Sequence, residues 1–154
     1  MIIEISKIPP GGVSYEGEEP AGVLDLEPSA NIRLVAPIRY DLFADLVGER
    51  LMVKGRLASH AEAGCCRCGE KFEFPVKVDR FLVVREFRNK SEIADLTEDI
   101  REDTILAFPS FPVCAPTCKG LCPHCGTNRN RGVCKCRTEE PATPWGGLDG
   151  LNLK

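Results

Sequence analysis

The sequence predicts an α+β fold, mainly antiparallel β: a twisted meander, open or barrel-like, with one helix and a Cys-rich loop region. Three observations carry this. Between Ile38 and Val78 apolar side chains recur at nearly every second position, the period that gives a strand one buried face. Leu96–Ala107 opens among carboxylates and closes before Pro109, as a helix does when its first turn favours anions and proline cannot continue it. From Cys114 to Arg137, six of the nine cysteines fall among Gly, Pro and Asn too frequent for either period to run through.

Taken in order, Ile2–Ile8 reads as a first strand ended by Pro9-Pro10-Gly11-Gly12. Tyr15–Pro28, with Glu16, Glu18, Glu19, Asp25 and Glu27, reads as a solvated loop or edge hairpin. Ile38, Tyr40, Leu42, Ala44 and Leu46 give the next strand its inner face, and Val47-Gly48-Glu49-Arg50 turns the chain. Leu51, Val53, Gly55, Leu57, Ser59 and Ala61 then lead to a tip at Gly64-Cys65-Cys66-Arg67-Cys68-Gly69. Phe72, Phe74, Val76 and Val78 restart the alternation, and its phase slips at Asp79-Arg80 before Phe81-Leu82-Val83-Val84, the mark of a bulge. Asn89–Asp95 reads as a loop, and Asp95 with Glu98 fits a capping box for the helix. A chain of 154 residues suits one domain of ordinary size and a small satellite. The expected division is a β domain with one helix over 1–113, a Cys-rich segment over 114–137 packed on the hairpin tip at 65–68, and a flexible tail over 138–154 anchored only by Trp145, Leu148, Leu151 and Leu153.

No run approaches the roughly 18 apolar residues that span a membrane, and the N-terminus lacks the basic start, apolar core and cleavage site of a signal peptide. The expectation is a cytoplasmic protein, where disulfides are rare and nine cysteines point to metal or redox chemistry. The segment Cys114–Arg137 has too little apolar surface to offset its backbone entropy by burial. Thiolates supply another means, since four of them close a tetrahedral zinc site. Cys65-x-x-Cys68-Gly69 and Cys122-x-x-Cys125-Gly126 have the form of zinc knuckles, and Cys114-x-x-x-Cys118 and Cys134-x-Cys136 supply the other halves. Chain proximity favours Cys122, Cys125, Cys134 and Cys136 in one site and Cys65, Cys68, Cys114 and Cys118 in the other, with Cys66 spare. The cofactor expected is two zinc ions, with iron the other metal that four thiolates accept.

Catalysis finds little support. Cys122-Pro123-His124-Cys125 would suit a thiol–disulfide oxidoreductase only after a strand and before a helix, and Gly126-Thr127-Asn128-Arg129-Asn130 follows it. A catalytic zinc needs an open position, and eight thiols close two sites. His60 falls on the outward phase of a strand, and His124 reads as a knuckle side chain rather than a ligand. No Ser-His-Asp set, phosphate loop or dinucleotide fingerprint appears, so the expectation is no enzyme and no small-molecule substrate.

Charge is segregated. From Thr104 to Thr138 there is no Asp or Glu, while Lys119, Arg129, Arg131, Lys135 and Arg137 carry +5, so the net charge of -3 leaves -8 on the remainder. Those cations fit either a nucleic-acid face or counter-charge for thiolates bound to metal.

Cys65-x-Arg67-Cys68, Leu106-Ala107-Phe108-Pro109, Pro112-Val113-Cys114, Cys118-x-Gly-Leu-Cys-Pro-x-Cys-Gly-x-Asn at Cys118–Asn128, and Cys134-x-Cys136 together resemble the large ribosomal RNA subunit accumulation protein family (YceD-like). The similarity spans roughly Leu34 to Arg137, and the cysteine spacing is its specific part. The resemblance implies a non-enzymatic role in 23S rRNA accumulation and large-subunit assembly, and puts the family pattern on the same eight cysteines. It also favours RNA contact by Arg67, Lys119, Arg129, Asn130, Arg131, Lys135 and Arg137. The expected partner is 23S rRNA or a large-subunit precursor. A competing expectation is an adaptor for a ribosomal protein or assembly factor, in which the zinc loops and the Trp145 tail bind protein and the acidic remainder suits a basic partner.

Overall fold

The computed structural model describes residues 1–27, 30–89 and 91–136. Arg137 and the tail expected over 138–154 lie outside the described residues. The strands are β1 (Ile2–Glu4), β2 (Val13–Glu19), β3 (Ile32–Leu34), β4 (Ile38–Val47), β5 (Arg50–Gly64), β6 (Lys71–Glu86) and β7 (Ile93–Asp95), followed by one helix, α1 (Thr97–Leu106).

The β5–β6 hairpin is the frame. Its strands, 15 and 16 residues long, extend roughly 50 Å at about 3.4 Å per residue. On its other edge β5 pairs with β4 from Arg50 to Ala58 and with β3 from Ala61 to Ala63, and β2 pairs with β4 beyond. All these pairings are antiparallel. Among the described residues β2 and β6 do not pair with each other, so the sheet is open rather than barrel-like. Gly55 faces Phe81 and Leu57 faces Val78, so β6 takes three steps where β5 takes two. The extra residue falls at Asp79-Arg80, where the sequence phase slips. It keeps Phe72, Phe74, Val76 and Val78 on the same face as Phe81 and Val83.

That inner face is covered over only part of the hairpin. Ile38, Leu42, Ala44, Leu51, Val53, Leu57, Phe81 and Val83 bury against Ile3, Ile8, Leu24, Ala94, Leu96 and Ile100. The covering layer consists of the β1–β7 pair, α1 and a 3-10 turn at Ala21–Leu24. Towards the tip the apolar core gives way to a smaller cluster of Cys65, Cys68 and Cys118, packed with Phe72 and Val113.

Three local expectations are corrected, and that for the acidic stretch is narrowed to its edge reading. Only Ile2–Glu4 of the first strand is extended, and Ile5–Lys7 coils into a 3-10 turn. The turn brings Ile8, which a continued strand would face outward, in with Ile3 and Ile5, and all three are buried. The acidic stretch begins as edge strand β2, where Glu18 pairs with Arg39 at 2.9 Å. Asn89–Asp95 ends in strand rather than loop, because Ile93–Asp95 pairs with β1. At the helix start the capping box does not form: Leu96 is the N-cap and makes no side-chain bond, and Glu98 reaches Arg101 at 3.7 Å instead of returning to Asp95. The Asp95 carboxylate instead closes a local turn before the helix, accepting from the Thr97 N–H at 2.9 Å and the Thr97 hydroxyl at 2.6 Å.

Those Thr97 hydrogen bonds hold the Asp95 carboxyl below its usual range, with Arg85 nearby acting in the same direction. A depressed carboxyl favours the folded state above its unfolded pKa of about 3.9, and the contribution disappears as pH falls through the lower folded value. Asp95→Ala is expected to cost about 1 kcal/mol at neutral pH, the typical net worth of an intramolecular hydrogen bond. Thermal melts should show the difference from wild type holding above pH ~5 and shrinking below pH ~4.

Candidate metal centres

Two cysteine knuckles repeat one hydrogen-bonded turn. At the β5–β6 tip the Cys65 N–H donates to the Glu70 carbonyl at 2.8 Å and the Gly69 N–H to the Cys65 carbonyl at 2.8 Å. In the second knuckle the Cys122 N–H donates to the Thr127 carbonyl at 2.8 Å and the Gly126 N–H to the Cys122 carbonyl at 2.9 Å. Gly69 and Gly126 take φ of 73° and 71°, the left-handed region that a side chain disfavours. Five residues of sequence thus place two sulfurs side by side with no help from a helix or a strand.

Each knuckle meets a second pair of thiols. Cys65, Cys68, Cys114 and Cys118 form one quartet and Cys122, Cys125, Cys134 and Cys136 another, all sulfurs within a quartet lying within 4.8 Å of one another. In the first, Cys65 Sγ and Cys118 Sγ are 3.9 Å apart, and Cys68 Sγ and Cys114 Sγ 3.8 Å. Four thiolates around one zinc at about 2.3 Å would stand ~3.8 Å apart, so the donor set fits a tetrahedral metal such as zinc. Backbone N–H groups of Arg67 and Cys114 each reach Cys65 Sγ at 3.4 Å, and the Asn130 amide reaches Cys118 Sγ at 3.3 Å. The quartets differ in shelter. Cys65, Cys68 and Cys118 are buried in the first, whereas in the second only Cys122 is buried.

The electrostatics divide the thiols of each quartet before any metal arrives. The Cys114 backbone N–H draws the Cys65 thiol down to about 6, and the Cys125 backbone N–H does the same for Cys122. Desolvation of its sulfur among the other thiols, with the Cys118 thiol next, takes Cys114 up to about 12 although the residue is exposed, and the hydrogen bond with Cys125 is the first cause that takes Cys136 to about 12. Each quartet therefore has at least one thiol ready to ionise at neutral pH and at least one that must be made to.

The segment after the helix is laid across the first knuckle by backbone contacts. The Cys66 N–H donates to the Pro112 carbonyl at 2.9 Å, and the Leu121 N–H to the Arg67 carbonyl at 2.9 Å. Gly120 has φ 70°, and a Cβ there would stand 2.9 Å from the Arg67 carbonyl oxygen, so both its conformation and its space require glycine.

The residues expected to touch RNA divide into two groups. Arg67 donates from one guanidinium nitrogen to the carbonyls of Pro116 and Cys118, both at 3.2 Å. Asn130 is held between the Lys119 N–H and Cys118 Sγ, and Arg131 pairs with Glu70 at 2.5 Å. Lys119, Arg129 and Lys135 have no carboxylate partner among the described residues. Lys119 and Arg129 line a cleft of about 290 Å³ with His124 and Val133 beside the second quartet. Cys66 is exposed and belongs to neither quartet, and His60 faces outward. Sequence reasoning missed the roles of Gly120 and Asn128. Asn128 accepts the Asn130 N–H through its side chain at 2.9 Å, and the Asn-x-Asn spacing was the signal available.

A β-hairpin scaffold with two thiol quartets defines a cysteine-cluster protein whose centres could each hold a metal ion. Among its described residues no helix is long and apolar enough to cross a membrane. A sequence profile described as "Large ribosomal RNA subunit accumulation protein YceD" matches residues 53–152, from β5 through both quartets, and the chain belongs to that family. It is 33% identical over 100 residues to an uncharacterized protein of Mycobacterium bovis, covering 56% of this chain and 48% of that protein. It is 28% identical to an uncharacterized protein of Mycobacterium leprae, over 60% of this chain and 49% of the relative. A 57-residue stretch, 37% of this chain and 18% of the relative, is 35% identical to "Large ribosomal RNA subunit accumulation protein YCED homolog 1, chloroplastic" of Arabidopsis thaliana. The chain spans about half the length of the mycobacterial relatives it matches. No solved structure matches it.

Two outcomes are expected from this geometry. Metal affinity should rise by at least about tenfold per pH unit through neutrality for each quartet, because Cys114 and Cys136 hold protons there that binding must displace; chelator competition at several pH values measures the slope. Gly120→Ala should lower stability by at least about 1 kcal/mol, from the left-handed strain alone, with the close Arg67 carbonyl adding to it; thermal melts of the metal-loaded protein measure it.

Proposed function

We propose that the chain is a non-enzymatic zinc-binding factor that supports 23S rRNA accumulation and large ribosomal subunit assembly by contacting rRNA. The observation that carries this is the acid-free stretch from Thr104 to Thr138, in which Lys119, Arg129 and Lys135 find no carboxylate among the described residues. Zinc in each quartet would cross-link loops that have little core of their own, and it would supply no open coordination position for catalysis. Cations held on such loops reach phosphates without first being ordered. The family's name and that of the Arabidopsis relative support the ribosomal RNA context.

A second reading, an adaptor that binds a ribosomal protein or assembly factor without touching RNA, draws on the apolar side chains of the same segment. Phe111 is 80% exposed, Val133 98% and Leu121 46%, and such side chains suit a protein surface better than a phosphate backbone.

Retention of 23S precursor RNA across a salt series separates the two. Arg129→Gln with Lys135→Gln should lower the slope of log affinity against log salt by roughly 1.5, since each lost phosphate contact removes about 0.7–0.9, with both metals still bound. An unchanged slope, with large-subunit precursors still co-sedimenting after nuclease treatment, would shift the conclusion to the adaptor.

A further inference from the structure

Asn130 lies between Cys125 and Cys134, in the loop that the second quartet closes, yet its side chain serves the first quartet. Its Nδ2 donates to Cys118 Sγ at 3.3 Å and its Oδ1 accepts from the Lys119 N–H at 2.8 Å. The same loop is tied to the Cys118–Leu121 stretch at two further points. The Arg129 N–H donates to the Gly120 carbonyl at 3.0 Å, and Leu121 and Asn128 form an isolated antiparallel bridge. The Asn128 side chain, accepting the Asn130 N–H, fixes the backbone that aims the amide.

An N–H donated to a metal-bound thiolate spreads the sulfur's charge and fixes its direction. Such outer partners are typically worth 10–100-fold in metal affinity. Here the donor comes from a loop bounded at both ends by cysteines of the other quartet, Cys125 and Cys134. We propose that Asn130 is a positioning residue that couples the two quartets: metal in the second orders the loop, and the loop then presents the Asn130 amide to Cys118 and tightens the first. The coupling rests on both quartets holding metal. Linkage makes it reciprocal, so metal in the first quartet favours filling of the second by the same factor.

The experiment uses the full chain, loaded with zinc and stripped by a graded chelator, and in parallel loaded with cobalt so that thiolate-to-metal charge-transfer absorption reports on the sulfurs. Asn130→Asp keeps the oxygen that accepts the Lys119 N–H but removes the donor to Cys118 and sets a carboxylate in its place. A role confined to shaping the loop would be preserved by Asp; a role on the sulfur would not. The expected result is that Asn130→Asp weakens one of the two metals by roughly 10–100-fold, leaves the other less affected, and shifts the cobalt charge-transfer band. With Cys134→Ser and Cys136→Ser the second quartet is gone, and Asn130→Asp should then add little to the loss already present at the first. Wild-type affinity for both metals in Asn130→Asp, or an undiminished effect in the double-serine background, would overturn the coupling alone. A wild-type chain that takes up no metal would overturn the metal reading and the coupling with it.

Discussion

The structure depends on a mismatch between the length of one hairpin and the extent of the apolar core. The sheet's inner face is filled from Arg50 to about Ser59 by the layer of α1, β1, β7 and the Ala21–Leu24 turn. Beyond it, β5 and β6 continue to Gly64 and from Lys71. There only the three residues of β3 flank the hairpin, along Ala61–Ala63, and so narrow a sheet is marginal in water without such a layer. What packs on the outer end is sulfur. Cys114 and Cys118 come back to Cys68 and Cys65 from 46 and 53 residues away along the chain. Closing loops of that length has a substantial entropic cost, which a few van der Waals contacts with Phe72 and Val113 do not offset. A metal bond of structural strength can, because its binding free energy becomes folding free energy.

The second quartet is built on the first rather than beside it. The Gly120 carbonyl, the Leu121 N–H and the Lys119 N–H, all within three residues of Cys118, receive the 128–130 loop or the tip of the first knuckle. Gly120 stands at the crossing, where the Arg67 carbonyl comes too close for any side chain. Once the first quartet is in place the Cys118–Cys122 stretch has a fixed path, and the second knuckle starts from its end. This explains the unequal shelter: the first quartet sits between two chain segments, the second has solvent on its far side.

How far the sequence revealed this follows from the range of each interaction. The alternation in β4, β5 and β6 is written residue by residue, and even the bulge at Asp79-Arg80 shows as a slip of phase. The eight cysteines stand out by spacing, since a knuckle is a five-residue object. The three-residue strands β1 and β7 have no period long enough to read; they exist because residues about ninety positions apart meet. Asn130 was legible as a polar residue in a basic loop, but its acceptor, Cys118, is chosen by the crossing at Gly120 and not by anything within the loop. Arg67 was legible as a cation at the hairpin tip, but the carbonyls that its guanidinium meets could not be read beside it, since they lie some fifty residues on.

That distinction bears on the charge of the acid-free segment. If its cations served only to neutralise metal-bound thiolates, they should lie against the sulfurs. Arg67 comes nearest to that role, with its guanidinium on the carbonyl of a ligand residue, and it lies outside the acid-free stretch. Arg131 is turned to Glu70 on the hairpin. The sulfurs of the first quartet take their hydrogen bonds from backbone N–H groups and from a neutral amide. In the first quartet thiolate charge is thus spread by uncharged dipoles, while Lys119 and Arg129 line the cleft beside the second quartet and, with Lys135, have no carboxylate partner among the described residues. Exposed cations that the fold does not employ are the ones a phosphate backbone can reach at little cost in protein stability.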